Sequence, residues 1–121
     1  MKKYLVEFIG TFFLVFTVGS TVIAPGIGPL APLAIGASLM VMIFAGGHVS
    51  GGHFNPAVTF AVWLRGRCEK RDVLPYWIAQ LAAAAVAAWM MGFFKLPGSA
   101  QILPIGWKAA ILAEFLFTFA F

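Results

Sequence analysis

The chain has 121 residues, of which 62% are apolar and only 10% are charged, whereas soluble domains carry roughly 25% charged residues. A soluble fold of this size cannot hide so many apolar side chains from water, so the composition excludes that class and favours a lipid environment. The net charge of +4 does not indicate a nucleic-acid partner, because the eight basic residues lie at the ends of apolar runs and not in one stripe.

The first apolar run covers residues 4–24, which at about 1.5 Å per residue can cross a hydrocarbon core of roughly 30 Å. Lys2 and Lys3 precede it, as in a signal peptide, but the run is too long for a signal core and contains Glu7. The sequence therefore predicts a retained transmembrane helix. A carboxylate at this depth is costly, so Glu7 needs a partner or a wet cavity, unless it reaches the nearby cytoplasmic interface.

Two further runs, residues 30–47 and 74–94, predict a second and a third span. A turn rich in glycine and proline at residues 25–29 separates the first two spans. The third span is rich in alanine, which permits close approach of neighbouring helices. These features predict an all-α integral membrane protein built as a helical bundle.

A shorter segment between the second and third spans, residues 48–64, has a different character. Residues 49–52 read Val-Ser-Gly-Gly and predict irregular backbone, which at membrane depth must be buried in protein or line a wet cavity. Asn55 is a favoured N-cap and Pro56 a favoured first helical residue, so a helix should begin there and end before Arg65 and Gly66. Its nine residues span roughly 14 Å, about half the hydrocarbon thickness.

Such a half-helix places its N-terminus near the bilayer midplane, where the aligned peptide dipoles carry a partial positive charge. A positive end facing a pore repels protons and cations but not water. Asn55 can cap the helix and still offer its amide NH₂ to a permeating oxygen. The alternative, that Asn55-Pro56 only marks a turn, does not explain the flanking Gly-Gly and the half-length helix.

The basic residues indicate the orientation of the chain. If residues 48–64 enter the membrane and return to the same side, six basic residues lie on one side and two on the other. The positive-inside rule then makes the N-terminus cytoplasmic. The six are Lys2, Lys3, Arg65, Arg67, Lys70 and Arg71, and the two are Lys95 and Lys108.

Side chains with metal or catalytic chemistry are few. Cys68, the single cysteine, lies beside basic residues that could lower its pKa, but an incidental loop thiol is the simpler interpretation. His48 and His53 lack further ligands nearby, so we expect no metal and no cofactor, and assign the histidines to bracing the loop. No catalytic constellation is present, so we do not expect an enzyme.

The segment Gly47–Thr59 resembles the first signature loop of the major intrinsic proteins, the aquaporins and aquaglyceroporins, and is nearest to the bacterial water channels. The resemblance extends to Glu7-Phe8 and Gly10–Phe12 in the first span, and to Tyr76 and Ala79-Gln80 in the third. It implies an aquaporin-like bundle whose pore is lined by Gly51, Gly52, His53, Asn55, Pro56 and Ala57. It also implies that Glu7 braces the loop from behind, through His53.

Ile35 lies where the resemblance implies the aromatic residue of the outer constriction in water-selective members. Isoleucine is shorter and has no ring, so strict water selectivity is in doubt.

An internal repeat is visible at an offset of 107 residues. Glu7–Phe12 recurs as Glu114–Phe119 with four of six positions identical, which assigns Glu114 the bracing role of Glu7. We therefore expect a first repeat at residues 1–107 and the start of a second, truncated repeat at residues 108–121. The final 14 residues are too few to cross the bilayer.

The sequence thus predicts a passive channel in a cell membrane, with water as the first candidate permeant and small neutral solutes as the second. Its expected partners are the permeant, the bilayer and further copies of the chain, since family members form tetramers. As a truncated chain it is not expected to conduct alone. The alternative is a non-conducting membrane fragment or a half-channel that assembles with a partner.

Overall fold

The computed structural model describes residues 1–23, 26–94, 106–108 and 111–112. Four α-helices follow one another within residues 1–94: α1 (Lys2–Val22), α2 (Ala31–Ser50), α3 (Pro56–Leu64) and α4 (Lys70–Phe94). A 3₁₀ turn, Gly28–Leu30, leads into α2. The predicted half-helix therefore appears as α3, with the bounds that the sequence indicated.

Three of these segments, Lys2–Val22, Gly28–Ser50 and Lys70–Phe94, are long and apolar enough to cross a membrane. The distribution of polar and apolar side chains is the reverse of that in a soluble protein. Large apolar side chains such as Phe44 (82% exposed) and Leu33 (72%) cover the surface, while Glu7, Thr59 and Gln80 are almost fully enclosed. A surface of this kind suits lipid, and the protein is a multi-pass membrane protein. The predicted all-α membrane class is confirmed.

The helix α1 is the centre of the bundle, since it packs along both α2 and α4, while α3 packs against α4. Small residues make these contacts close. A Cβ on Gly19 would lie 2.9 Å from Met91 of α4, and one on Gly10 would overlap the ring of Phe54, which is 2% exposed. Backbone approach through small residues is the usual way in which membrane helices associate.

The second span ends later than the sequence predicted, because Val49 and Ser50 are helical. The hydroxyl of Tyr76 donates to the Ser50 carbonyl at 2.7 Å, which satisfies an acceptor that a helix end would otherwise leave free. The helix ends instead at Gly51, whose φ of +93° suits glycine and whose N–H bonds the Gly47 carbonyl at 2.8 Å. The irregular stretch is thus shorter than predicted.

The third span begins at Lys70, four residues earlier than the predicted start at Leu74. The charged residues 65–72, which precede the predicted span, have the composition of a loop, but Asp72 in the first turn of α4 favours a helix N-terminus. Its carboxylate also pairs with Lys3 and accepts a hydrogen bond from Tyr4 at 2.7 Å, so α4 starts against the beginning of α1. Most of residues 95–121 lie outside the described residues, and the second repeat stays a prediction.

Candidate functional site

The start of α3 has the geometry expected of a capped half-helix. Asn55 has extended backbone, and its side-chain oxygen Oδ1 accepts a hydrogen bond from the N–H of Ala57 at 2.7 Å. Pro56 occupies the first helical position, where its missing N–H leaves nothing unpaired. Asn55 is exposed, and its amide NH₂ donates to none of the described residues, so this group is available to a ligand while Oδ1 holds the cap.

The depth of this helix start follows from its contact with α4. The indole N–H of Trp77 donates to the Pro56 carbonyl at 3.0 Å, which sets the two residues at the same level. Trp77 lies seven residues into a helix that begins at Lys70, or roughly 10 Å along its axis. The positive end of α3 therefore lies inside the membrane-spanning part of the bundle and not at its surface.

The loop from Gly51 to Phe54 connects α2 to this helix start in an unusual conformation. Gly51, Gly52 and Phe54 have positive φ values of +93°, +66° and +49°. The two glycines adopt this conformation without the penalty that a Cβ brings, whereas Phe54 is held in it by its buried ring. The backbone N–H groups of His53 and Phe54 consequently point into the protein, behind the loop.

Glu7 receives those N–H groups. Its Oε1 accepts from Ser50 Oγ at 2.7 Å and from the His53 N–H at 3.0 Å, and its Oε2 accepts from the Phe54 N–H at 2.7 Å and from Gln80 Nε2 at 2.8 Å. Four donors match the acceptor sites of a carboxylate. Glu7 thus contacts the loop from behind, through the backbone of His53 and Phe54 and not through the imidazole.

A second polar contact set lies beside the first. Thr59, on α3, is fully buried and its hydroxyl lies within 3.1 Å of Asn55, His53 and Gln80 atoms. Four residues of these contact sets have no role that the sequence alone indicates: Ser50, Thr59, Tyr76 and Gln80. A usable signal was the pair Tyr76 and Gln80, since polar residues four apart on an apolar helix share one face.

A cavity of about 440 Å³ opens on the side where the chain carries its charges. Its walls are formed by the end of α2, the loop that follows α2, and the connection between α3 and α4. The lining residues include Lys3, Gly51, His53, Arg67, Cys68 and Tyr76. Two predicted pore-lining residues, Gly51 and His53, therefore face water-sized space that reaches the end of the bundle.

Cys68 in this wall is not an activated thiol. Burial raises the pKa of the Cys68 thiol, and the nearby Asp72 carboxylate raises it further against the opposite effect of Lys3. Basic neighbours in the sequence suggested that its pKa could be lowered, and that possibility is wrong. The simpler interpretation, an incidental loop thiol, remains.

The other predicted site residues lie apart from the loop. Ile35 is in the second turn of α2, 16 residues and roughly 24 Å of helix from Gly51, so it belongs to the opposite end of the bundle. His48 is exposed in the last turn of α2, and the described residues include no hydrogen bond between it and the loop, so its bracing role has no contact to support it. Glu114 lies outside the described residues.

Comparison with known proteins gives an independent result. The sequence model of the family described as Major intrinsic protein matches residues 1–121. The chain is 42% identical to the glycerol uptake facilitator protein-like 6 of Lactiplantibacillus plantarum, over 100% of this chain and 60% of that protein. It is 40% identical to the aquaporin Z of Photorhabdus laumondii, over 100% of this chain and 62% of that protein.

A third relative, the aquaporin Z of Brucella melitensis, is 44% identical over 73% of this chain and 42% of its own length. The chain therefore spans about three fifths or less of these curated relatives.

Proposed function

Because the chain belongs to the major intrinsic protein family, whose members are channels and not enzymes, we propose that it forms part of a passive transmembrane channel for water and small neutral solutes. The observation that carries this proposal is the capped start of α3. Asn55 holds the helix with Oδ1 and leaves its NH₂ exposed, at a depth where the helix dipole presents positive charge. A permeating oxygen lone pair fits this end, whereas a cation is repelled by it.

Water and glycerol-like solutes both remain within this proposal. One relative is named a glycerol uptake facilitator and the others aquaporin Z. Ile35, near the outer end of α2, supports the wider selectivity, because an aliphatic side chain in place of an aromatic ring leaves more room and an apolar wall for a carbon backbone.

The test is permeation through liposomes that contain the complete gene product carrying this sequence. Stopped-flow light scattering under an osmotic gradient measures water permeability, and the same vesicles under a glycerol gradient measure solute entry. Permeability equal to that of empty vesicles for both would refute the proposal.

An Asn55→Asp variant removes the donor and places a carboxylate at the same position. Aspartate still accepts the Ala57 N–H and keeps the cap, but it has no NH₂ group. We expect water permeability to fall about tenfold, the effect of raising the barrier by roughly the value of one hydrogen bond. Unchanged permeability in a folded Asn55→Asp protein would show that the amide does not contact the permeant.

We further propose that the 121 residues alone do not conduct. Only one half-helix with its capping asparagine occurs among the described residues, and the family relatives are longer. In the same liposome assay this chain should match empty vesicles. Water permeability above that level would instead favour assembly of two copies into a pore.

The orientation and assembly of the protein belong to the same proposal. Six basic residues on one side against two on the other support a cytoplasmic N-terminus in a cell membrane. Cys68 then faces the cytoplasm, so a membrane-impermeant thiol reagent should label inside-out vesicles and not intact cells. The family resemblance supports a homotetramer, which native mass spectrometry of the complete protein would test.

A further inference from the structure

The hydroxyl of Thr59 is a junction at which three other residues meet. Gln80 Nε2 donates to Thr59 Oγ1 at 2.9 Å, the Asn55 carbonyl lies 3.1 Å from the same oxygen, and His53 Nδ1 lies 3.1 Å from it. Thr59 is 0% exposed, so water does not compete for this oxygen. A hydroxyl has one hydrogen and two lone pairs, and three contacts use all of them.

The direction of the Gln80 contact is set by Glu7. Gln80 Nε2 also donates to Glu7 Oε2 at 2.8 Å, and this carboxylate oxygen offers only acceptors. Turning the Gln80 amide over would place its carbonyl oxygen against the carboxylate. The NH₂ group must therefore stay between Glu7 and Thr59, and it occupies one lone pair of the Thr59 hydroxyl.

The direction of the Asn55 contact is equally constrained. A carbonyl oxygen only accepts, so the single hydrogen of the Thr59 hydroxyl goes to the Asn55 carbonyl. The remaining lone pair of Thr59 Oγ1 then faces His53 Nδ1, and a favourable contact requires a hydrogen on Nδ1. If Thr59 donated to Nδ1 instead, two lone-pair-bearing oxygens would face each other at 3.1 Å in a site without water.

We infer that Thr59 is a positioning residue that holds His53 in the tautomer protonated at Nδ1, leaving the lone pair of Nε2 for the cavity. Among the described residues Nε2 has no hydrogen-bond partner, yet it is not one of the enclosed polar atoms. His53 lines the cavity of about 440 Å³, and we assign this accessible ring nitrogen to that lining. Gly51 makes this possible, because a Cβ there would lie 3.1 Å from Nε2.

This assignment gives the cavity wall an acceptor of hydrogen bonds at His53. The same cavity is also lined by charged side chains of both signs, Lys3 and Arg67 with Glu69 and Asp72. The Nε2 lone pair adds a neutral acceptor to this wall, and it can receive a hydrogen from passing water or from a solute hydroxyl. The role of this acceptor in permeation rests on the proposed channel function, but the tautomer of His53 does not depend on that function.

The first test is nitrogen NMR of the complete protein with ¹⁵N-labelled histidine. The sample is kept about two pH units above the ordinary histidine pKa of about 6.5, and the His53 signals are those that disappear in a His53→Gln variant. We expect the Nδ1 resonance at the protonated, pyrrole-type position and the Nε2 resonance at the unprotonated, pyridine-type position. The reverse pattern in the unmodified protein would overturn the inference.

The second test compares Thr59→Ser with Thr59→Val. Serine keeps Oγ and should keep Nδ1–H as the major form. Valine has nearly the same shape but no acceptor, so most His53 should change to the Nε2–H form, in which the N–H faces cavity water. An unchanged tautomer in Thr59→Val would show that Thr59 does not set it.

The two proposals fail separately. A protein with the expected tautomer but no water permeability would contradict the channel function alone, whereas a conducting protein with Nε2–H in the unmodified form would contradict only the role of Thr59. If Thr59→Val does not fold, the spectrum of the unmodified protein still decides the assignment.

Discussion

Replacing Glu7 with glutamine tests whether the loop depends on a carboxylate behind it. Glu7 accepts four hydrogen bonds, two from the backbone N–H groups of His53 and Phe54. Glutamine has one carbonyl oxygen and one NH₂ group. Whichever way its amide is turned, one of those two backbone N–H groups faces an NH₂ and loses its acceptor.

We work the magnitude from the lost backbone bond alone, which gives a lower bound because each Glu7 oxygen also accepts from a side chain, Ser50 or Gln80. A buried donor left without a partner costs about 1–3 kcal/mol, and the lost bond was to a carboxylate, so we expect about 2–3 kcal/mol against the closed loop. That free energy corresponds to roughly 30- to 150-fold more frequent opening. Hydrogen–deuterium exchange, resolved at the amides of residues 53 and 54, should therefore show protection reduced by that factor at one of them.

The matched control is Glu69→Gln, the same chemical change at a side chain that is 62% exposed and pairs at 2.6 Å with Arg71, whose side chain is 78% exposed. Exposed ion pairs contribute little, so its effect on loop exchange should be within about 0.5 kcal/mol of zero. If Glu7→Gln leaves both amides as protected as in the unmodified protein, the loop is held by other contacts and this reasoning is wrong.

Three further predictions concern packing, a thiol and a hydroxyl. Gly10→Val should lower the free energy of unfolding in detergent by about 1–3 kcal/mol, because the new side chain overlaps the Phe54 ring. The control Gly36→Val should not lower it, since a Cβ at Gly36 meets open space. Equal effects of the two variants would contradict the close contact between Gly10 and Phe54. The labelling rate of Cys68 by a thiol reagent should rise with pH and reach half its maximum above about pH 8.5. The reason is that burial raises the pKa of the thiol, and the thiolate is the reactive form. A labelling rate that is already constant below about pH 8 would contradict the raised pKa. Tyr76→Phe removes the bond to the carbonyl at the end of α2 and should cost about 1 kcal/mol in the same detergent assay, and an unchanged value would show that this bond is replaced by water.

The half-helix could be predicted because its signals are local. Asn55 caps it, Pro56 occupies the position that needs no N–H, and Arg65-Gly66 follows its last turn, so neighbours in sequence decide both ends. The membrane class likewise follows from the length of the apolar runs alone.

The starts and ends of the longer helices depend on distant partners instead. Lys70 to Asp72 belong to a charged loop by sequence pattern, yet they lie in the first turn of α4, where Asp72 contacts Lys3 and Tyr4, nearly 70 positions away. In the same way α2 continues to Ser50, where Tyr76 satisfies its carbonyl. Neither of these long-range contacts can be predicted from the helix propensity of the local sequence.

The sequence by itself determined that the chain lies in a membrane and begins a half-helix at Asn55. Only the tertiary structure decided how the loop before that helix is held. Glu7, Ser50, Thr59 and Gln80 come from four helices, and each satisfies hydrogen bonds that the others cannot complete. The physical reason is that lipid offers these polar groups no hydrogen-bond partners, so the bundle alone sets which side chains come within reach of them.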